Sequence, residues 1–129
     1  MLDRIDIHVE VPAADFKELA SKKPGTSSAE IRDVVEGART AQIERFAELP
    51  ILYNAQMSSK QIRQFCKLNS DCMNLLKNSV EELGLSARAH DKVLRLARTI
   101  ADLDSSAEIE FHHLSEAINY RVLDRDLWQ

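Results

Sequence analysis

The chain has 129 residues, 44% hydrophobic and 29% charged, which suits one soluble domain with a real core. Three glycines and three prolines are too few for the turns of an all-β fold, and a net charge of −4 disfavours a domain that binds nucleic acid through its own field. Two cysteines, Cys66 and Cys72, exclude a disulfide scaffold; no segment reads as a signal peptide or as a membrane span, which sets the expectation of a cytosolic protein without membrane contact.

Residues 5–11 alternate strictly: Ile5, Ile7, Val9 and Val11 share one face, and Asp6, His8 and Glu10 the other, the pattern of a half-buried strand that Pro12 ends. A lone strand cannot satisfy its backbone groups, and no second strand follows. The expectation is a chain that continues upstream into a sheet. Residues 12–27 read as a connection, with one or two helical turns around Asp15–Ala20 and a loop at Ser21–Ser27.

Ser27 and Glu30 form a capping box, and Ile31, Val34, Val35, Ala38, Gln42 and Phe46 follow at helical spacing, predicting a helix over about 28–48 that Pro50 stops. Ser58 with Gln61 opens a short second helix to about 67, with Ile62, Phe65 and Cys66 inward. A third starts near Ser70, carries Cys72, Leu75, Leu76, Val80 and Leu83, and ends at Gly84, a C-terminal cap. Ser86 caps a fourth running to about Leu103, with Ala89, Val93, Leu96, Ala97, Ile100 and Leu103 inward, and Asp104-Ser105-Ser106 breaks it. A fifth covers about 111–121, with Leu114, Ala117 and Ile118 inward, and the tail brings Trp128 back onto the bundle. The predicted fold is an all-α, compact helical bundle preceded by one strand and a linker, and each short helix needs the others to bury its stripe.

Most catalytic chemistry finds no support. No G-x-x-x-x-G-K-[ST] loop and no dinucleotide fingerprint occurs; Gly25, Gly37 and Gly84 stand far apart, so tight ATP binding by this chain alone is not expected. His112-His113 with Cys66 and Cys72 lacks zinc spacing, so no metal is assigned. His8 and His90 have no evident acid–base partner.

Two arginines remain. Arg88 falls in the first turn of the fourth helix, where partial positive charge and free N–H groups make a cation unfavourable unless an anion is near. It reads either as an exposed residue paired with Asp91 or as a phosphate-sensing group. Arg95 and Arg98 read as solvated or salt-bridging. Arg4, between Asp3 and Asp6, reads either as a local ion pair or as an arginine finger, held out to stabilise charge on a phosphate during hydrolysis.

The run Leu2-Asp3-Arg4-Ile5-Asp6-Ile7-His8-Val9-Glu10-Val11-Pro12 resembles the magnesium-chelatase-like AAA+ ATPases of the YifB/ComM group. The resemblance continues through Ser28–Arg32, Ala38-Arg39, Asn54–Met57, Leu83–Ala89, Val93–Leu103, His113–Ile118, Tyr120-Arg121 and Leu123–Arg125, and covers nearly the whole chain. It implies that residues 1–27 hold the last strand of an ATPase core plus a linker, and that residues 28–129 form the C-terminal helical lid. It implies that Arg4 matches the arginine-finger position, acting on a neighbour's nucleotide, and that Arg88 matches sensor 2, near the γ-phosphate. Under this resemblance the functional reading of both arginines is preferred.

The motifs that bind ATP and magnesium in such proteins would lie upstream, in a missing N-terminal ATPase core. The isolated chain is therefore expected to be no enzyme and to hold no cofactor. Its expected partners are that core and neighbouring subunits of a hexameric ring, with DNA a partner of the parent protein only. The parent's output resembles either DNA branch migration in competence or chelatase-type work. Two other classes stay open: a stand-alone helical interaction module without nucleotide chemistry, and a helical DNA-binding domain.

Overall fold

The computed structural model describes residues 5–9, 11, 13, 20 and 25–121. Five α-helices and one 3-10 turn account for its regular structure among these residues: α1 (Ser28–Arg45), the turn Asn54–Gln56, α2 (Ser59–Phe65), α3 (Ser70–Leu83), α4 (Ala87–Leu103) and α5 (Phe111–Asn119). Among the described residues no helix is long and apolar enough to cross a membrane.

The helix starts follow from capping chemistry. Ser27, Ser58 and Ser86 each accept a hydrogen bond from the backbone N–H three residues on, and Glu30 and Gln61 complete two capping boxes by reaching back to the cap residue. Asn69 accepts from the Cys72 N–H in the same way at the start of α3. The helix ends differ in kind. Gly84 closes α3 in the left-handed region at φ 62°, as expected of a glycine there. α4 closes on a serine instead: Ser105 sits at φ 55°, its N–H reaches the Asp102 carbonyl, and the Ser106 N–H reaches that of Ala101. These two bonds are a Schellman closure made without glycine.

α4 is the central element, packed against α1, α2, α5 and the 3-10 turn, while α3 packs on α5. The core joins Phe46, Met57, Ile62, Cys72, Leu76, Val93, Ala97 and Leu114, all buried. Phe46, just beyond α1, meets Phe65 edge to face at 5.3 Å. The buried cysteines are free thiols, and burial pushes Cys66 up to about 11, so both behave as small apolar groups.

Three expectations need correction. The first helix ends at Arg45, and only Ala38 and Gln42 within it are buried; Ile31, Val34 and Val35 are exposed, because α4 covers only its C-terminal half. On α4, Leu103 is exposed and Leu96 and Ile100 are half-buried, whereas Leu94, Arg98, Ala101 and Asp102 are buried. Neighbours on several sides widen the buried arc beyond one stripe. The strand expected over 5–11 is not formed among the described residues. The alternation does not govern burial there: Ile5, Asp6, Ile7, Val9 and Val11 are exposed and His8 is buried. Among the described residues no sheet lies alongside to take the apolar face. Instead the His8 N–H donates to the Tyr120 carbonyl at 2.9 Å, the Arg121 guanidinium donates to the Ile5 carbonyl, and Lys92 pairs with Asp6. Arg4, Glu10, the turns around Asp15 and Trp128 lie outside the described residues.

Candidate functional site

The two arginines singled out by the sequence separate here. Arg4 lies outside the described residues. Arg88 stands where expected, second in α4, behind the Ser86 cap that accepts the Ala89 N–H at 3.1 Å. It is exposed and forms no ion pair with any described residue. The alternative partner, Asp91, is committed elsewhere: it accepts from the Ser59 hydroxyl at 2.8 Å, and His90 Nδ1 lies 3.3 Å from its other oxygen. The N-terminal turn of α4 therefore presents a guanidinium beside unpaired backbone N–H groups, an arrangement that favours a bound anion.

A second charged cluster lies at the other end of α4, of which sequence reasoning reached only the salt-bridging option for Arg98. Asp102 is 5% exposed. Arg45 of α1 clamps it with two bonds of 2.6 and 3.0 Å, Asn54 donates at 2.8 Å, and Arg98 donates at 3.2 Å. Arg98 is itself buried; its other donors hold the Ser106 and Ala107 carbonyls at 2.7 and 3.0 Å, which ties down the loop into α5. Burial pulls the Arg98 guanidinium down from its ordinary value, and Asp102 opposes that pull. Gln42 completes the shell by accepting the Asn54 N–H at 2.9 Å. Alongside, Arg95 grips the Met57 carbonyl through two donors at 2.8 and 3.1 Å, and Arg39 lies over the Tyr53 ring at 4.0 Å. The Ala38-Arg39 and Asn54–Met57 segments thus serve to lock α1 and the 3-10 turn onto α4. The readable signal was Arg98 and Asp102 at i,i+4 on the apolar side of α4, with Ala97 and Ala101 beside them.

His112 and His113 meet Asp104, their ligand-type atoms all within 4.8 Å of one another. The hydrogen bonds give this group another task. The Glu110 N–H donates to His113 Nδ1 at 3.0 Å, so the ring proton sits on Nε2, which donates to Asp104 at 2.9 Å. A metal-ligating imidazole instead keeps a proton on its outer nitrogen and donates it to a second acceptor. His113 is thus the capping partner at the start of α5, buried at 1% exposure. The hydrogen bonds from His113 and His112 hold the Asp104 carboxyl below its ordinary range.

A third feature is an apolar cleft of about 570 Å³ between α2, α3 and α4. Ile62, Leu76, Val80 and Leu94 floor it, and Arg63, Lys67 and Lys77 stand on its rim.

Comparison with known proteins agrees with the bundle. The family described as magnesium chelatase, subunit ChlI C-terminal, matches residues 25–121. The YifB protein of Escherichia coli strain K12 is 43% identical over 125 residues, and the competence protein ComM of Haemophilus influenzae is 38% identical over 125 residues. The YifB protein of Salmonella typhimurium is 37% identical over 127 residues. Each alignment covers 96% of this chain and 24% of the relative, so the chain spans about a quarter of the length of these relatives. The match takes in every helix of the bundle, and the chain belongs to the magnesium chelatase subunit ChlI C-terminal family.

Proposed function

We propose that this chain is the C-terminal lid of a longer AAA+ ATPase, and that Arg88 is its sensor for the nucleotide's phosphate. The supporting observation is the state of Arg88: an exposed guanidinium in the first turn of α4, with Asp91 already held by Ser59 and His90. An uncompensated cation beside free N–H groups gains energy when a phosphate arrives, and α4 is the helix on which most of the bundle is assembled. A force on that turn moves the bundle as one body, which is how a lid turns phosphate state into rotation. In this reading ATP and magnesium bind to the core, Arg4 reaches a neighbouring subunit's nucleotide, and the subunits form a hexameric cytoplasmic ring. The isolated chain hydrolyses nothing. The ComM relative is named a competence protein, which supports a role in competence for the parent protein, and in this reading its output is DNA branch migration.

In the full-length protein Arg88→Ala should lower ATP turnover or nucleotide affinity by roughly 5–150-fold, the span of about 1–3 kcal/mol of coupling. The lid's melting temperature should stay unchanged. Unaltered hydrolysis together with unaltered nucleotide affinity would sink the reading. A second reading, a stand-alone interaction module, draws on the exposed apolar residues of α1 and the open cleft. Upstream coding sequence decides between the two: an in-frame phosphate-binding loop supports the lid, and its absence supports the module.

A further inference from the structure

Residues 5–8 lie on the bundle with their apolar side chains outward. Ile5 and Ile7 are exposed, as are Val9 and Val11 beyond them, so burial of apolar surface does little to keep the segment in place. Polar bonds to the bundle hold it instead. The His8 N–H donates to the carbonyl of Tyr120, the residue that ends α5, at 2.9 Å. The Arg121 guanidinium donates to the Ile5 carbonyl; Arg121 is fully buried, and a charged donor kept from water makes a strong bond. Lys92 of α4 pairs with Asp6, and Asp6 and Ile7 lie beside Arg95 and Leu96 of the same helix.

The anchor on α4 has a particular place. Lys92 follows Arg88 by four residues, one turn along the same face of the helix and a rise of about 6 Å. Its partner Asp6 stands 86 residues away in sequence and follows Arg4 by two. Ile5, held by Arg121, follows Arg4 directly. The clamp therefore joins the backbone next to one phosphate-directed arginine to the helix that carries the other.

We propose that Lys92 and Arg121 are positioning residues for Arg4: they fasten residues 5–8 to the lid, so that Arg4 moves with α4 and with the turn that carries Arg88. This rests on the phosphate reading of both arginines. A finger fixed to the ATPase core alone would take its position from the core. A finger fastened to the lid also follows the lid, and the lid turns as one body when phosphate reaches Arg88. The occupancy of one site thereby sets the reach of Arg4 without contact between the two guanidinium groups.

Two experiments separate the clamp from the chemistry. In the 129-residue chain, amide hydrogen exchange followed by NMR reports on the clamp. The His8 amide should be protected, and Lys92→Met and Asp6→Asn should each speed its exchange about two- to five-fold, the span of a partly exposed ion pair. The double variant should exchange no faster than either single one, because the two side chains act as a unit. The Ala97 amide inside α4 should keep its wild-type rate in all three. An unprotected His8 amide, or effects that multiply in the double variant, would overturn the proposal. Arg121→Met should release the His8 amide as well; should that variant fail to fold, the Lys92 and Asp6 variants decide.

In the full-length protein, Arg4→Ala should lower kcat for ATP, and Lys92→Met should lower kcat with KM unchanged, since a finger acts on the charge of the transition state. Unchanged kcat in Lys92→Met, with kcat lowered in Arg4→Ala, overturns the positioning role alone. Unchanged kcat in Arg4→Ala overturns the phosphate reading of Arg4 and the positioning role with it, and protection of the His8 amide would then mark a clamp that serves only the fold.

Discussion

At the C-terminal end of α4, Arg98 is buried and engages Asp102 and two backbone carbonyls, whereas at the N-terminal end Arg88 is exposed with no acidic partner among the described residues. One helix therefore carries two arginines under opposed conditions. Where solvent is excluded, every donor that points inward must find an acceptor, and Arg98 and Asp102 do so at the cost of desolvation. Where solvent is open, a cation can stand against the helix's own field at a small penalty. The first arrangement holds α1, α4 and the entry to α5 in one geometry. The second leaves that geometry able to respond to an anion.

The comparison breaks most visibly at Asp102. Asp102→Ala leaves Arg45 and Arg98 facing each other without their shared carboxylate, and breaking a buried pair in this way costs about 3–5 kcal/mol. For a domain with about 5–15 kcal/mol of total stability this is a large fraction. Urea unfolding of the isolated chain should show a much lower midpoint. A loss under about 1 kcal/mol would mean that the cluster relaxes into water and does not lock the fold.

The same contrast explains what the sequence disclosed. Serine caps, the Gly84 stop and the apolar spacing are local signals, so five helices and their starts could be read, and Arg88 could be placed in its turn. The Asp102 cluster joins Arg45, Asn54, Arg98 and Asp102 across a sequence separation of 57 residues, and no local pattern announces which charges will be enclosed together. Ile31, Val34 and Val35 failed in the other direction. Their spacing states that they share a face, yet nothing in it states whether a neighbour covers that face. At 5–9 the alternation did not decide burial, since Asp6 is exposed along with Ile5, Ile7 and Val9 while His8 alone is buried; which side is covered depends on neighbours that the pattern cannot supply.

A milder break lies at the loop between α4 and α5, where the exposed Asp104 carboxylate caps the end of α4. Asp104 accepts from His113 and His112, and those bonds hold its folded-state pKa below its ordinary value. The sign follows from linkage: a carboxylate with a depressed folded value contributes stability above its unfolded value, and that contribution is lost as pH falls through the folded one. The wild-type chain should therefore lose stability on acidification below about pH 4 more steeply than Asp104→Asn, whose amide cannot titrate. Thermal melts at a series of pH values would show the two curves apart near neutrality and converging in acid. Parallel curves would mean that the His113 contact contributes no proton-linked stability.

The smallest expected effect is the sharpest test of the contrast. If Arg88 is held against the helix field for a ligand's sake, the apo chain carries a slight penalty for it. Arg88→Ala should leave the isolated chain as stable or more stable by a few tenths of a kcal/mol, and Arg88→Glu should add to this, up to about 1 kcal/mol at low salt. Added salt should shrink the gain, since the field at an exposed helix end is screened. The opposite sign, with Arg88→Ala destabilising the apo chain by 1 kcal/mol or more, would make Arg88 a structural residue like Arg98. It would then have no energy in reserve for a phosphate. A residue that weakens the empty domain slightly and strengthens only the liganded one is what a sensor requires, because a ligand can shift an equilibrium only by the difference between its interactions in the two states.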